Sequence, residues 1–553
     1  MVGSILGTRV LRTEDPELLL GAARFVDDLG LDHPLHVVFV RSEMAHARLL
    51  SVDTSIAATM PGVIAVFTAA ELDVRPQHGM AKVHDDFARP PLAVDKVRFV
   101  GEAIVAIVAE SVVQGRDAAD AVVVEYEPLV ALVDPEAAFD DDAPLLFEAH
   151  GDNIAVAATD VEHPDIFGDA EVIVRGRYVN QRMAVAPMEP HGAAAVMGDD
   201  GRLTFYASTQ MPHLLHQILS RAVGMDTSQV RVVTPHVGGG FGGKAGMYSE
   251  QAVVAVAATR LGRPVTWMST RSEDMVSLAH SRGQVQYVEL GCRRDGTFTG
   301  LRVRLVGDGG AYPGLGAFLP AGTRRMSNGT YAFTGIQFDV VVAATNTTPM
   351  GAYRGAGRPE ATALLERAVD HAALTLGIDP IEIRRRNLLA DDVFPFQTLT
   401  GVTYDSGAYG TPLDAVARLA GYEELRREQA KRRAAGDRML LGIGVAAYVE
   451  VTAGGGSSEY GSVVVHPDGS ATLMAGTSAH GQGHQTAFAM IVSAQTGIPV
   501  ERITLLQVDT DLVRSGGGTG GSRSLQLGGS AVHKATEAMV DKARNLAARL
   551  LEA

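Results

Sequence analysis

The placement of glycine restricts this chain more than any other feature. Its 61 glycines in 553 residues exceed the roughly 7% of an ordinary soluble protein. They gather in five clusters: VGGGFGGKAG (237–246), GAYRGAG (351–357), AGGGSS (453–458), GTSAHGQGH (476–484) and SGGGTGGSRSLQLGG (515–529). Each cluster tends to follow a strand-like run, so they are not a low-complexity linker. Glycine reaches positive φ freely and lets backbone N–H groups approach a ligand without an intervening Cβ. Successive N–H groups in such turns form anion-binding concavities. Five such loops, each carrying an amide, hydroxyl or cation, imply a large polar ligand wrapped from several sides.

The first cluster matches two nucleotide templates. Gly238, Gly240 and Gly243 satisfy G-x-G-x-x-G, and Gly238, Gly243 and Lys244 satisfy G-x-x-x-x-G-K. Both fail on context. A phosphate loop needs Ser or Thr after the lysine, and Ala245 stands there; its helix should begin at the lysine, whereas Ser249 is the better cap. A dinucleotide loop needs an acidic residue about 20 positions on, after a strand, and that interval reaches only Ala257–Leu261, still inside a helix. No G-x-S-x-G or H-E-x-x-H motif occurs. His213 and His216 form H-x-x-H without an apparent third ligand, which favours capping or packing. His480 and His484 flank Gln482 in a glycine loop, where hydrogen bonding is favoured over metal ligation.

Periodicity divides the chain into three regions of mixed α/β or α+β character. Residues 1–145 alternate strand-like text (LHVVFVRS, EAIVAIVAE) with a helix capped by Ser111, and the acidic, Pro-containing stretch 137–153 reads as a linker. Residues 154–405 carry the strands RLTFYASTQ and QVRVVTPHV and a hairpin in QYVELGCRRDGTFTGLRVRLVGDGG. They also carry a helix from a Ser249 cap to Gly262. A second helix runs from Pro359 to Gly377, with Ala361, Leu364, Leu365, Ala368, Val369 and Ala372 on one face; a third, short one starts at Asp379 and Pro380. Residues 406–553 open with a charged helix over 413–435, then MLLGIGVAAYVEV, further strands and glycine loops. The last text, DKARNLAARLLEA, is amphipathic and helical.

The bulk properties exclude several classes. A formal net charge of −16 opposes nucleic-acid binding. No apolar run reaches the roughly 18–20 residues of a membrane span, and the opening residues lack a signal-peptide pattern. A single cysteine, Cys292, cannot build a disulfide framework or a Cys-ligated zinc or iron–sulfur site from this chain alone, and a reduced, cytoplasmic setting is expected.

In order, YASTQ, VGGGFGGK, AYRGAGRPE, GTSAHGQGH and GGGTGGSRS resemble the molybdenum-binding large subunit of the xanthine dehydrogenase/aldehyde oxidase family, closest to its carbon monoxide dehydrogenase-like branch. RTEDPELLLGAARFVDD, RSEMAHARL, MPGVIAVFTAAEL and VRFVGEAIVAIVAE are similar to that family's opening α/β hammerhead domain. The resemblance implies a hammerhead domain over 1–145 followed by two molybdenum-cofactor-binding domains, 154–405 and 406–553, the last incomplete. It implies a hydroxylase that inserts water-derived oxygen into an aldehyde or N-heterocycle. Molybdenum would be held by a pterin dithiolene rather than by protein ligands, the cytosine dinucleotide form being expected. Electrons would leave to 2Fe-2S and FAD groups on a small and a medium partner subunit, in a dimer of heterotrimers.

Carried over by motif, the resemblance places Gln210 at a molybdenum oxygen ligand and Arg354 at the substrate. The backbone of Gly240, Phe241, Gly242 and Gly243 would meet the metal's oxygen ligand or the adjacent cofactor. Gly481, Gln482, Gly483 and His484 would bind the pterin and phosphates, and Thr519, Gly520, Gly521, Ser522 and Arg523 the cofactor's tail. Lys244 becomes a supporting cation. Three departures qualify the implication. Carbon monoxide oxidisers carry a copper-binding cysteine just after the equivalent of Arg354, where Gly355 and Ala356 stand here. Purine oxidisers often place glutamate after the GGK lysine, where Ala245 stands. The family's base glutamate lies in a G-x-G-E-type motif that these 553 residues lack, so turnover by this sequence alone is not expected. A non-catalytic cofactor-binding or assembly subunit is the alternative.

Overall fold

The computed structural model describes residues 4–453 and 458–551; four residues of the AGGGSS cluster, 454–457, lie outside the described residues. One sheet is mixed and has seven strands. Its strand order is Val230–Val233, Leu203–Ala207, Gly192–Met197, Val265–Met268, Leu35–Arg41, Ala103–Ala109 and Val63–Phe67. Leu35–Arg41 runs parallel to Val265–Met268, with Leu35 beside Val265, so strands from before and after residue 150 share one ladder. AIVAIVA (103–109) is buried along its whole length, the property expected of a continuous apolar strand covered on both faces. Trp267 meets Phe39 edge-on at 5.7 Å across the junction.

Helix Ser249–Leu261 lies against this sheet with Ala252–Ala258 wholly buried, and ends on Gly262 at φ 60°. Ser249 is not its cap as the sequence suggested. Tyr248 takes that position, and its N–H donates to the Gln251 side chain at 2.9 Å. The Gln251 amide reaches back further than the Ser249 hydroxyl could.

A second sheet holds Ile154–Ala158, Gly335–Ala344, Phe298–Gly310, Gln284–Cys292 and Val172–Asn180 in that order. The expected hairpin forms its centre, with Cys292 opposite Phe298. Helix Arg358–Leu376 covers it with Leu364, Leu365, Ala368, Val369 and Ala372, with Pro in its first turn and Gly377 at φ 67°. Each leucine so buried contributes about 1.5–3 kcal/mol. A third, three-stranded sheet (Gly461–Val465, Ala471–Ala475, Ile503–Leu506) packs under helices His484–Thr496 and Ser530–Leu550.

Three local expectations change. The charged stretch 413–435 is two helices, Gly410–Ala420 and Tyr422–Ala434, because Gly421 adopts φ 64°, which ends a right-handed helix. MLLGIGVAAYVEV is extended but pairs with no strand among the described residues. Side chains hold it instead: Arg384 donates to the Val445 carbonyl, Glu366 accepts from the Ala447 N–H at 2.8 Å, and Arg358 donates to the Val451 carbonyl at 2.7 Å. The stretch 137–153 is no loose linker, since Leu146 and Phe147 insert among Phe87, Phe99 and Tyr312. Among the described residues no helix is long and apolar enough to cross a membrane.

Candidate active site

Four of the glycine clusters converge, and Gln210 is the stitch between them. It follows strand Leu203–Ala207 and precedes helix Pro212–Val223. Its side-chain oxygen accepts from the Gly242 N–H at 2.8 Å and the Lys244 N–H at 3.2 Å. Its Nε2 donates to the Thr519 carbonyl at 3.0 Å, while the Thr519 N–H returns a bond to the Gln210 carbonyl at 3.0 Å. The Arg354 N–H donates to the Phe241 carbonyl at 2.8 Å, and the Gly518 N–H to the Gly476 carbonyl at 3.1 Å. The family resemblance implies Gln210 at an oxygen ligand. In this structure its polar atoms serve the protein's own loops.

Gly242 shows why glycine is required here. It sits at φ 104°, and a Cβ would stand 2.6 Å from the Ala352 carbonyl oxygen. Backbone strain gathers in the same loops. Of eight non-glycine residues with positive φ among the described residues, Phe241, Ala356, Ala453 and Ser522 lie in the glycine clusters. Each such conformation costs on the order of 1–3 kcal/mol and persists only where the surroundings over-determine it. Lys244 supplies part of that determination. Its fully buried Nζ donates to Glu189 at 2.8 Å, and the same carboxylate oxygen accepts the Gly238 N–H at 2.8 Å. Burial lowers the lysine's pKa and Glu189 opposes that shift.

The loop 476–484 is finished differently. Gly483, at φ 78°, caps the 13-residue helix His484–Thr496, whose first N–H groups point toward the loop as a ready anion site. Gln482 folds back, accepting the His480 N–H at 2.6 Å. His484 stacks on Phe488 at 4.9 Å, and its Nδ1 lies 3.3 Å from the Gln507 amide nitrogen. Because that amide can only donate, Nδ1 accepts and Nε2 carries the proton. Nε2 is buried with no partner among the described residues, as is the Ser478 hydroxyl. Burial, and then the neighbouring His484, push the His480 pKa down to about 4.

In the last cluster, Thr519 and Ser524 share a hydroxyl bond at 2.7 Å, and Ser522 donates to Glu450 at 3.0 Å. Gly521 takes φ 65° beside Gly520. Arg523 pairs with the buried Glu459 and donates to the Ser458 carbonyl at 2.8 Å. Arg354 has an exposed side chain and joins the site through its backbone. His213 and His216 both approach backbone carbonyls, at 2.8 and 2.9 Å, which accounts for H-x-x-H without a metal.

A cavity of about 110 Å³ opens directly against Gly242, Ala245 and Ala352. Phe87, Tyr248, Tyr312, Met247 and Met350 wall it, and Gln77 and Arg89 bring polar groups from the N-terminal region. Arg89 lies 5.9 Å from the Tyr312 ring centre, and its buried Nη2 has no acceptor among the described residues. Sequence reading missed Gln77 and Arg89. Their only local signal is a short mutual backbone bridge, far from any glycine loop.

Comparison with known proteins fixes the class. Residues 146–388 and 415–553 each match the molybdopterin cofactor-binding domain, and residues 20–130 match the a/b hammerhead domain of aldehyde oxidase and xanthine dehydrogenase. The chain is thus a molybdopterin-binding subunit of mixed α/β fold. It is 34% identical to the nicotine 6-hydroxylase large subunit of Paenarthrobacter nicotinovorans, over 99% of this chain and 69% of that one. It is 36% identical to the carbon monoxide dehydrogenase large chain of Hydrogenophaga pseudoflava, over 98% of this chain and 72% of that one. The solved structure of quinoline 2-oxidoreductase from Pseudomonas putida 86 superposes with a TM-score of 0.93 at 32% identity, covering 99% of this chain and 72% of that one. The chain belongs to the xanthine dehydrogenase/aldehyde oxidase family of molybdenum oxidoreductases, as a large subunit of the carbon monoxide dehydrogenase-like kind.

Proposed function

We propose that this subunit carries the catalytic site of a hydroxylase acting on an aldehyde or N-heterocyclic substrate. The observation that carries the reading is the junction at Gln210, where loops 237–246 and 515–529 meet beside a small cavity bounded by Gly242 and Ala352. The cradle fits a pterin cofactor with a phosphate-bearing tail. The orphaned His484 N–H and Ser478 hydroxyl, and the N-terminus of helix His484–Thr496, are donors suited to acceptor-rich pterin and phosphate edges. Gly481, Gly483, Thr519, Gly520, Gly521 and Ser522 would complete that wall, with Arg523 setting its shape through Glu459. The cytosine dinucleotide form is the variant we assign to the tail.

When bound, the molybdenum cofactor would supply the centre that passes water-derived oxygen to substrate and accepts two electrons. The chain's own contribution is position. Gln210 and the Lys244–Glu189 pair fix the loop under the cavity. Phe87, Tyr248 and Tyr312 exclude water around a flat substrate, and Arg89 can donate to an acceptor atom on it. Two narrower activities are disfavoured. Cys292, the sole cysteine, is buried in the second sheet with its thiol pushed up to about 12 by burial, so it cannot serve copper at Gly355. Ala245 lines the cavity where purine oxidisers of the family often carry glutamate.

Electron transfer would run to a 2Fe-2S small subunit and an FAD-binding medium subunit, in a cytoplasmic dimer of heterotrimers. Domain limits at 1–145, 154–405 and 406–553 belong to the same proposal. The test is metal and pterin analysis of the copurified complex, followed by dye reduction across aldehydes and N-heterocycles. Molybdenum with substrate-dependent dye reduction is expected. An assembled complex without molybdenum overturns the reading, and bound molybdenum with no turnover favours a cofactor-holding role.

A further inference from the structure

We propose that His84, Asp86 and His150 bind one divalent transition-metal ion of the zinc type, at a site separate from the cofactor cradle. The three side chains offer ligand atoms that all lie within 4.8 Å of one another. Asp86 Oδ2 is 3.1 Å from His84 Nδ1 and 3.5 Å from His150 Nδ1. A tetrahedral ion with bonds of about 2.0–2.1 Å holds neighbouring ligands about 3.3 Å apart, and the two separations straddle that value.

Hydrogen bonding alone does not explain the arrangement. His150 Nε2 lies 3.1 Å from the Ile154 carbonyl oxygen, which can only accept, so Nε2 carries the ring proton and Nδ1 presents a lone pair. That lone pair faces a carboxylate oxygen. His84 Nδ1 lies 3.4 Å from the Asp86 backbone nitrogen, a long contact, and an ion would take its single lone pair instead. Three potential ligand atoms therefore lie close together, an arrangement that a single cation satisfies. The two rings meet with their centres 4.7 Å apart beside one carboxylate. A single divalent ion satisfies all three.

The surroundings match a metal ligand set. A ligating histidine usually donates its other ring N–H to a carbonyl or carboxylate, as His150 does toward Ile154, with Asp152 3.5 Å from the same nitrogen. Two imidazoles and a carboxylate suit zinc, cobalt or nickel better than calcium or magnesium. Of the other charged groups nearby, Asp85 is engaged by Lys82 and lies 4.0 Å from His78. The half-exposed His84, at 53%, leaves a path for the ion to enter. The site would also clip the 84–87 segment to residues 147–154. Phe87 packs on His150 at 4.6 Å and walls the substrate cavity, so the clip would brace that wall.

The test uses the complete purified complex, treated with a mild chelator and then titrated with Zn²⁺ by calorimetry. Wild type should take up one ion more than His84→Ala or Asp86→Asn. Co²⁺ should give a visible spectrum of low-coordinate nitrogen and oxygen ligation that His84→Ala removes. Zn²⁺ should raise the melting temperature of wild type but not of His84→Ala, a comparison that holds because His84 is partly exposed and outside the core. Equal uptake and equal melting shifts in wild type and both variants would overturn the proposal.

Discussion

The loop 237–246 and the loop 476–484 are both glycine-rich, both follow strands, and both join the loops tied around Gln210 and Thr519. In the first, the N–H groups of Gly238, Gly242, Gly243 and Lys244 all have protein acceptors, and Lys244 is neutralised by Glu189. In the second, the His484 N–H and the Ser478 hydroxyl are buried without partners among the described residues. A buried donor left unmet costs about 1–3 kcal/mol, so the second loop's two orphaned side-chain donors would gain from a ligand. Glycine content alone does not separate a scaffold loop from a receptor loop; the fate of each polar atom does. The difference predicts how each loop fails.

The largest effect should come from Lys244→Met. Removing one partner of a buried pair leaves Glu189 charged and uncompensated, at about 3–5 kcal/mol, and Gly238 loses its ordered acceptor. Chemical unfolding should show the full loss, and the purified complex should lack molybdenum. The double change Lys244→Met with Glu189→Gln should recover most of the stability. If the single variant is as stable as wild type, the first loop is not the scaffold.

Gln210→Ala should cost less, about 1–3 kcal/mol, because two buried N–H groups, at Gly242 and Lys244, lose their shared acceptor. Cofactor content should fall with stability, since the same residue holds Thr519. His484→Phe should do the opposite. It keeps the stack on Phe488 and should leave the melting temperature near wild type, while cofactor retention in a dilution assay drops on the order of 10-fold for one lost hydrogen bond. Unfolding in step with cofactor loss would erase the contrast between the loops.

What the sequence disclosed follows from the range of the interactions involved. Helix Arg358–Leu376 was legible because its apolar face repeats locally between Pro359 and Gly377. The hairpin around Cys292 was legible because its turn lies between its own strands. The break at Gly421 was written in the chain, yet an isolated glycine inside a charged helical pattern does not state its φ. Pairing across distance was not legible. Nothing local in MLLGIGVAAYVEV reveals that arginine and glutamate side chains, rather than a strand, hold its backbone. Nothing near Arg523 points to Glu459, 64 residues away, and nothing near Arg89 points to a cavity floored by Gly242. The glycine clusters marked which loops meet; the residues that tie those loops and wall the adjacent cavity had to be found in space.

The smallest predicted effect tests the second loop by pH. His480 is held neutral, its pKa lowered from the usual 6.5 to about 4, chiefly by burial and then by His484. Between those values the unfolded chain binds a proton there that the folded loop refuses. Stability from this group is therefore fully present above pH 6.5, falls as pH drops through the window, and levels off below about 4. Denaturant midpoints measured at pH 7, 5.5 and 4.5 should decline more gently in His480→Gln than in wild type, because glutamine has no proton to take up. His484 shifts in the same direction, also by burial, so a residual slope should remain until it too is replaced. Identical slopes in wild type and His480→Gln would mean that this loop accepts the proton while folded, and that it is more open to water than its buried histidines indicate.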